Sequence, residues 1–321
     1  MEFLPRYSHT FKTRCIFIED KKTDILNRSS DALHRFIIEQ SHVRGEVVRL
    51  DSTLRALEGT NAYPEPVRQL LAETAAATAL LAATIKFDGY LTLQVKGNGP
   101  VSLLVMEATG DGTLRGVARH EGVVPDAGIR TLMGAGHLVM TIDPGRGRER
   151  YQGIVSLDET SLVRTLQNYF TQSEQLPTRL WLAVDDTSAA GFLLQNLPAN
   201  RPRGALEEDD DWNRCVHLAD TLTDTELLHL PVEKLLYRLF HQETVRLLGA
   251  SPVNFACRCS RERVERTLKA LGHTEVKQIL EEDGEVEVRC EFCNTTYALD
   301  AVDIGHMFSG EHQPGFNETR H

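Results

Sequence analysis

A chain of 321 residues with 41% apolar residues is long enough for one large domain or two smaller ones, each with a real core. Its formal net charge of −11 argues against a general affinity for nucleic acid or anionic membrane, because both reward excess Lys and Arg. The start of the chain has no apolar run followed by a small-residue cleavage site, and the longest apolar stretch, "QLLAETAAATALLAATIKF", is Ala-rich and carries Glu73, so it reads as a buried helix rather than a membrane span.

Residues 1–30 are irregular and read as an extension. Ser29, Ser30 and Asp31 offer caps for a helix predicted to begin near Ala32, where Leu33, Phe36 and Ile37 lie at helical spacing. Val43, Glu46, Val47 and Val48 read as a strand, and "STLRALEG" as a helix ended by Gly59. Pro64 and Pro66 open the long Ala-rich helix, which stops at "FDG". Strands with turn signals follow: "YLTLQV", "VSLLVMEAT" and "TLRGVARH", then the hairpin "GHLVMTID" and "ERYQGIVSL". A helix, "LVRTLQNYFTQSEQL", ends at Pro177, and "TRLWLAV" and "AGFLLQNL" add two strands. The pattern predicts an α+β domain with antiparallel strands over residues 31–200.

Composition then shifts. "PANRPRGALEEDDDWN" contains five consecutive acidic residues and reads as an exposed boundary. Residues 201–251 are read as an acidic and helical linker, with "TDTELLHLPVEKLLYRLFHQETVRLL" forming two helices broken before Pro231. Val232, Leu235, Leu236, Leu239 and Phe240 make one apolar stripe. Too little chain surrounds that stripe for a core of its own, so it is expected to lie on the first domain. A small domain over 252–310 and a tail over 311–321 complete the chain.

Six cysteines occur, and four of them fall in that small domain as Cys257-x-Cys259 and Cys290-x-x-Cys293. The features above point to a cytoplasmic protein, where thiols stay reduced and a tight cysteine cluster reads as a metal site rather than as structural disulfides. Zn²⁺ favours four thiolates in a tetrahedron, and two short pairs on separate turns supply them. The spacer suits this: Ser260 can cap a helix "RERVERTLKAL" closed by Gly272, "TEVKQILEE" makes a second helix, and "VEVRC" and "TTYAL" read as strands. A segment this short has little core, so one bound zinc would supply much of its folding energy. His273 lies between the pairs and could displace one sulfur, although four thiolates already fill the site. Cys15 and Cys215 stand alone and read as small buried hydrophobes.

A C-x-C pair closes only a small, strained disulfide ring, which makes its oxidation reversible. Four thiolates and one Zn²⁺ total −2, a charge that Arg258, Arg261 and Arg263 could offset. An oxidant that converted the ligands to disulfides would expel the metal and unseat the domain. The alternative is a structural zinc knuckle that binds nucleic acid or a protein partner without switching. Between Cys257 and Cys293, seven Lys or Arg face nine Asp or Glu, so no basic stripe supports the nucleic-acid version. A thiol–disulfide oxidoreductase would place C-x-x-C at a helix start after a strand, whereas here strand is predicted to resume beyond Asn294. No phosphate loop, G-x-S-x-G or H-E-x-x-H occurs, and no catalytic set is assigned.

The segment "CRCSRERVERTLKAL…EEDGEVEVRCEFCNTTY" resembles the redox-switch domain of the thirty-three-kilodalton heat-shock protein family, the bacterial redox-regulated holdase chaperones. The resemblance runs back through "YFTQSEQLPTRL", "ERYQGIV", "RGVAR", "KFDG" and "VRGEVVRL", and covers residues from about 31 to 305. The first thirty residues depart from the pattern, since family members usually begin near Asp31. The resemblance implies a non-enzymatic chaperone of the stress response. Reduced, it would be an inactive monomer with zinc on Cys257, Cys259, Cys290 and Cys293. Oxidants would form the disulfides Cys257–Cys259 and Cys290–Cys293, release zinc and unfold the linker. The resulting homodimer would bind unfolding client proteins without ATP.

Overall fold

The computed structural model describes residues 31–309 apart from 60, 86–87, 146, 158, 172–175 and 199–204, and apart from the side chains of 205–209. The expected extension 1–30 with Cys15, the tail 311–321, part of the acidic boundary and residues 172–175 of one expected helix lie outside the described residues. The chain divides after Ala256 into two compact units.

In chain order the first unit holds β1 (Ala32–Ile38), β2 (Val43–Leu50), α1 (Ser52–Glu58), α2 (Glu65–Thr84), β3 (Tyr90–Gly97), β4 (Val101–Thr109) and β5 (Thr113–His120). It continues with α3 (Ile129–Met133), β6 (Gly136–Asp143), β7 (Tyr151–Ser156), α4 (Leu162–Tyr169), β8 (Thr178–Val184) and β9 (Ala189–Asn196). It closes with α5 (Ala205–Ala219), α6 (Asp224–His229), α7 (Val232–Phe240), β10 (Val245–Pro252) and β11 (Asn254–Phe255). One sheet is antiparallel throughout, in the order β10-β1-β2-β9-β8. The other runs β11-β5-β4-β3-β6-β7 and is antiparallel except at the short β11–β5 pair.

Helix α2 explains this layering. Of its 20 residues, 13 are buried, and its apolar residues share one cluster with residues of both sheets. A helix that is apolar all round must be covered all round, and its alanines let two sheets approach closely. Thr74 and Thr78 return their hydroxyls to the Leu70 and Thr74 carbonyls at 2.6 Å, so burial leaves neither hydroxyl unpaired.

One expected helix and the end of another are strands. Residues from Ala32 form β1, paired with β2 on one side and β10 on the other. Leu33 faces the α2 cluster, whereas Phe36 and Ile38 enter a second cluster on the opposite face. With both faces buried, the strand shows no polar alternation, and Leu33, Phe36 and Ile37 mimic a helical stripe. Asp31 does cap a helix, but a different one: its carboxylate accepts the N–H groups of Asp51, Ser52 and Thr53 at 2.7, 3.0 and 3.1 Å, at the start of α1. The second correction concerns "VRLL", expected to prolong the linker helix. It belongs to β10, which pairs with β1 and bulges at Leu248. The segment read as a linker therefore contributes a sheet strand, and β11 pairs with β5 before the first unit ends at Ala256.

The outer face of the first sheet is covered by α5, α6 and α7. Val232, Leu235, Leu236, Leu239 and Phe240 are all buried, in one cluster with Phe36, Val47, Phe192 and Leu194 of the sheet. The Phe240 ring sits 6.3 Å from Phe36 and 6.4 Å from Phe192. Gly45 makes room for this packing, because a Cβ there would fall 2.1 Å from the Phe36 ring. The break before Pro231 is pinned by Arg49 of β2, which donates to the Leu227 carbonyl at 2.9 Å and also to the Leu230 carbonyl. The acidic run Glu207–Asp211 falls in the early part of α5, whose later residues Cys215 and Ala219 are buried.

The second unit holds α8 (Arg261–Leu271), α9 (His273–Asp283), β12 (Val286–Arg289), β13 (Thr296–Leu299) and α10 (Ala301–Ser309). Its buried apolar cluster comprises Val264, Leu268, Val276, Val286, Leu299, Ile304 and Met307. Among the described residues, no helix is long and apolar enough to cross a membrane.

Candidate metal centre

Two turns carry the four cysteines. The first, Cys257 to Cys259, runs into α8, where the Ser260 hydroxyl accepts the Arg263 N–H at 3.4 Å and starts the helix. The second joins β12 to β13. Here the Cys290 N–H donates to the Thr295 carbonyl at 2.9 Å and the Asn294 N–H to the Cys290 carbonyl at 2.7 Å. Asn294 adopts φ 58°, a left-handed conformation that asparagine tolerates better than most residues. The turn thereby folds back on itself and brings both of its sulfurs to one side.

The four Sγ atoms lie within 4.8 Å of one another. Cys257 and Cys290 approach to 3.6 Å, and Cys259 and Cys293 to 3.4 Å. A tetrahedron with metal–sulfur bonds of ~2.3 Å has sulfur–sulfur edges of roughly 3.8 Å. The cluster therefore has the donor type, number and spacing to hold one soft or borderline divalent ion.

Two hydroxyls touch the cluster. Tyr297 donates to the Cys259 sulfur at 3.1 Å, and the Thr295 hydroxyl lies 3.2 Å from the Cys293 sulfur. Without a metal, negative charge is unevenly placed. Burial pushes the Cys290 thiol up to about 12 and also raises Cys259. Burial pushes Cys293 up as well, but hydrogen bonds from Thr295, Cys259 and Cys257 outweigh it and bring that thiol down to about 6. Burial thus resists negative charge at Cys290 and Cys259. A divalent cation removes that resistance by compensating the charge.

All four predicted cysteines come together, whereas His273 and Arg261, singled out beside them, are engaged elsewhere. The His273 ring packs edge-on against Phe308 at 4.9 Å, and the metal-capable group consists of the four cysteines alone. Arg261 pairs with Asp303 at 2.6 Å and with Glu265 at 3.2 Å, which commits it to α10 and its own helix. Cys215 is buried under the first sheet's helical cover, with its thiol pushed up to about 11 by burial. Thr295 and Tyr297 carry no sequence signal as site residues: they lie two and four residues beyond Cys293, and no spacing marks a hydroxyl as the partner of a sulfur.

A two-unit α+β chain whose small C-terminal unit gathers four thiols around one point is the class that fold and site define. The family model described as Hsp33 protein matches residues 31–300, and this chain belongs to that family of chaperones. It is 47% identical over 295 residues to the 33 kDa chaperonin of Ectopseudomonas mendocina, covering 91% of this chain and 100% of that protein. It is 48% identical over 294 residues to the 33 kDa chaperonin of Azotobacter vinelandii, covering 91% and 99%. The crystal structure of the 33 kDa chaperonin from Thermotoga maritima shares the fold, with a TM-score of 0.75 at 22% identity over 87% of this chain and 97% of that one.

Proposed function

We propose that this protein is a redox-regulated, ATP-independent holdase of the cytoplasm, one that binds unfolding proteins under oxidative and heat stress. The observation that carries the reading is the convergence of four sulfurs in a unit whose buried apolar cluster has only seven residues among those described. Cys257, Cys259, Cys290 and Cys293 would hold one zinc. When bound, zinc would keep all four sulfurs as thiolates at neutral pH and supply most of the unit's folding free energy.

Two equivalents of peroxide take four electrons from the four thiolates. They leave the disulfides Cys257–Cys259 and Cys290–Cys293 and four hydroxide ions. The sulfurs then no longer tie the two turns to a common centre, and the unit loses its cross-link. We assign the reduced state to an inactive monomer and the oxidised state to an active homodimer. In the active state the linker unfolds, and the stripe from Val232 to Phe240 is exposed together with Phe36 and Phe192 beneath it. An apolar surface of that kind holds unfolded chains by burial alone. It needs no nucleotide, no catalytic group, no nucleic acid and no membrane.

The test is metal and thiol counting joined to an aggregation assay. Reduced protein should carry about one zinc per chain and leave a denaturing client unprotected. After peroxide the zinc should be free, four thiols should be lost, and the client should stay soluble without ATP. Protection that is equal before and after oxidation would remove the redox part of the reading. Strict dependence on ATP would remove the holdase.

A further inference from the structure

We propose that Tyr297 is a positioning residue that sets how readily the cysteine cluster yields to peroxide; the inference rests on the redox reading above. Tyr297 lies on β13, opposite Val288 of β12, and its ring packs against the unit's small apolar cluster. Its hydroxyl reaches away from its own cysteine turn to the other one, where it donates to Cys259 at 3.1 Å. The Thr295 hydroxyl lies 3.2 Å from Cys293, so both hydroxyls serve the sulfur pair that is 3.4 Å apart.

Oxidation begins when a sulfur lone pair attacks the peroxide O–O bond. An S–O bond forms, the O–O bond breaks, hydroxide leaves and the sulfur becomes a sulfenic acid. A second thiolate then attacks that sulfur, an S–S bond forms, the S–O bond breaks and a second hydroxide leaves. Both steps draw on charge density at sulfur. A hydrogen bond into the sulfur withdraws some of that density and must be weakened as the lone pair is spent. Tyr297 therefore raises the oxidant dose the cluster withstands, and does so without being a ligand. Phenylalanine at this position keeps the packing and removes only the donor.

The experiment compares the full-length protein with Y297F. Each is loaded with Co²⁺ for spectroscopy and with Zn²⁺ for kinetics. Loss of the donor should shift the sulfur-to-cobalt charge-transfer bands to lower energy while the d–d bands keep the intensity of a tetrahedral site. Under excess peroxide, zinc release followed with a chromogenic chelator should be about 3–12-fold faster in Y297F, the span expected if roughly half of a charge-assisted hydrogen bond is lost at the transition state. Equal release rates with unmoved bands would overturn the proposal. A Y297F chain that takes up no metal would overturn it too, by assigning the hydroxyl to building the site. Wild-type protein that binds no metal, or keeps it under peroxide, would sink the redox reading and this inference with it.

Discussion

In the first unit, helix α2 is buried between two sheets, and one of those sheets is buried again beneath α5, α6 and α7. In the second unit, three helices and a hairpin among the described residues enclose just seven buried apolar side chains. The same chain thus builds one part by layering and another by cross-linking. Below ~70–80 residues a single core rarely supplies more than ~3–5 kcal/mol, so on the function proposed above the second unit would depend on what its sulfurs hold. Under the proposed function, that difference would make the second unit the responsive element. A layered unit gives up stability one side chain at a time, whereas a unit tied at four atoms can lose its support in one chemical event.

Metal removal should break this symmetry most. Structural zinc contributes on the order of 10 kcal/mol or more to small four-ligand units, far above what the seven apolar residues provide. Adding a strong chelator to reduced protein should abolish amide protection across residues 257–309. Residues 32–184 should keep theirs. A second unit that remains protected without metal would show that its core suffices and that the contrast is mistaken.

The next largest effect tests the two layers of the first unit against each other. Phe240 is fully buried and meets Phe36 and Phe192, so F240A should cost about 3–5 kcal/mol, and L236A about 2–5 kcal/mol. Because α7 lies on the outside of the sheet, this loss should fall on local opening of α6 and α7 rather than on the α2 layer. Hydrogen exchange over residues 217–250 should accelerate in reduced, metal-loaded F240A, and the variant should suppress aggregation without oxidant. Uniform loosening of the whole first unit would mean that the two layers are one cooperative block.

These layers were only partly legible in the sequence. The four cysteines announced themselves because their spacing is local, and the stripe from Val232 to Phe240 because one helix carries it. Strand β1 did not, since both of its faces are buried and its partner β10 lies some two hundred residues away. Strand β10 was hidden for the same reason: its partner β1 is equally distant, and the polar run His241–Thr244 between helix and strand reads as one exposed turn of a continuing helix. Asp31 capping α1 and Tyr297 reaching Cys259 are tertiary hydrogen bonds between segments distant in sequence, and no periodicity encodes them.

Glu46 offers a finer probe of the first unit. It is 3% exposed on β2, one of its carboxylate oxygens has no hydrogen-bond partner, and burial raises its pKa from 4.5 to about 7 despite Arg44 and Arg35 nearby. The folded chain therefore keeps a proton that the unfolded chain releases between pH 4.5 and about 7. Glu46 should therefore lower stability as pH rises through that window, by at most about 3 kcal/mol, against an opposite contribution from buried His34, whose pKa burial lowers from 6.5. E46Q should flatten this part of the profile and be the more stable form at pH 8. Denaturation midpoints of the first unit across that range check it. A stability difference between wild type and E46Q that does not change across that range would place a carboxylate, not a carboxylic acid, in the core.

The smallest effect separates the two units by readout rather than by size. Ser161 caps α4 in the first unit, accepting the Arg164 N–H at 3.3 Å, and Ser260 caps α8 in the second, accepting the Arg263 N–H at 3.4 Å. Changing either serine to alanine removes the same kind of bond and costs about 1 kcal/mol. In the first unit that loss has nowhere to go but the denaturation midpoint, so S161A should lower it and leave metal affinity unchanged. If in the second unit folding and metal binding are one equilibrium, as the proposed function requires, the lost free energy must appear as weaker binding. S260A should therefore bind Zn²⁺ about five-fold less tightly, as judged by competition with a chelator of known affinity. If S260A instead keeps its metal affinity and merely melts earlier, the second unit is folded before the metal arrives, and the cross-link is an addition to its stability rather than the source of it.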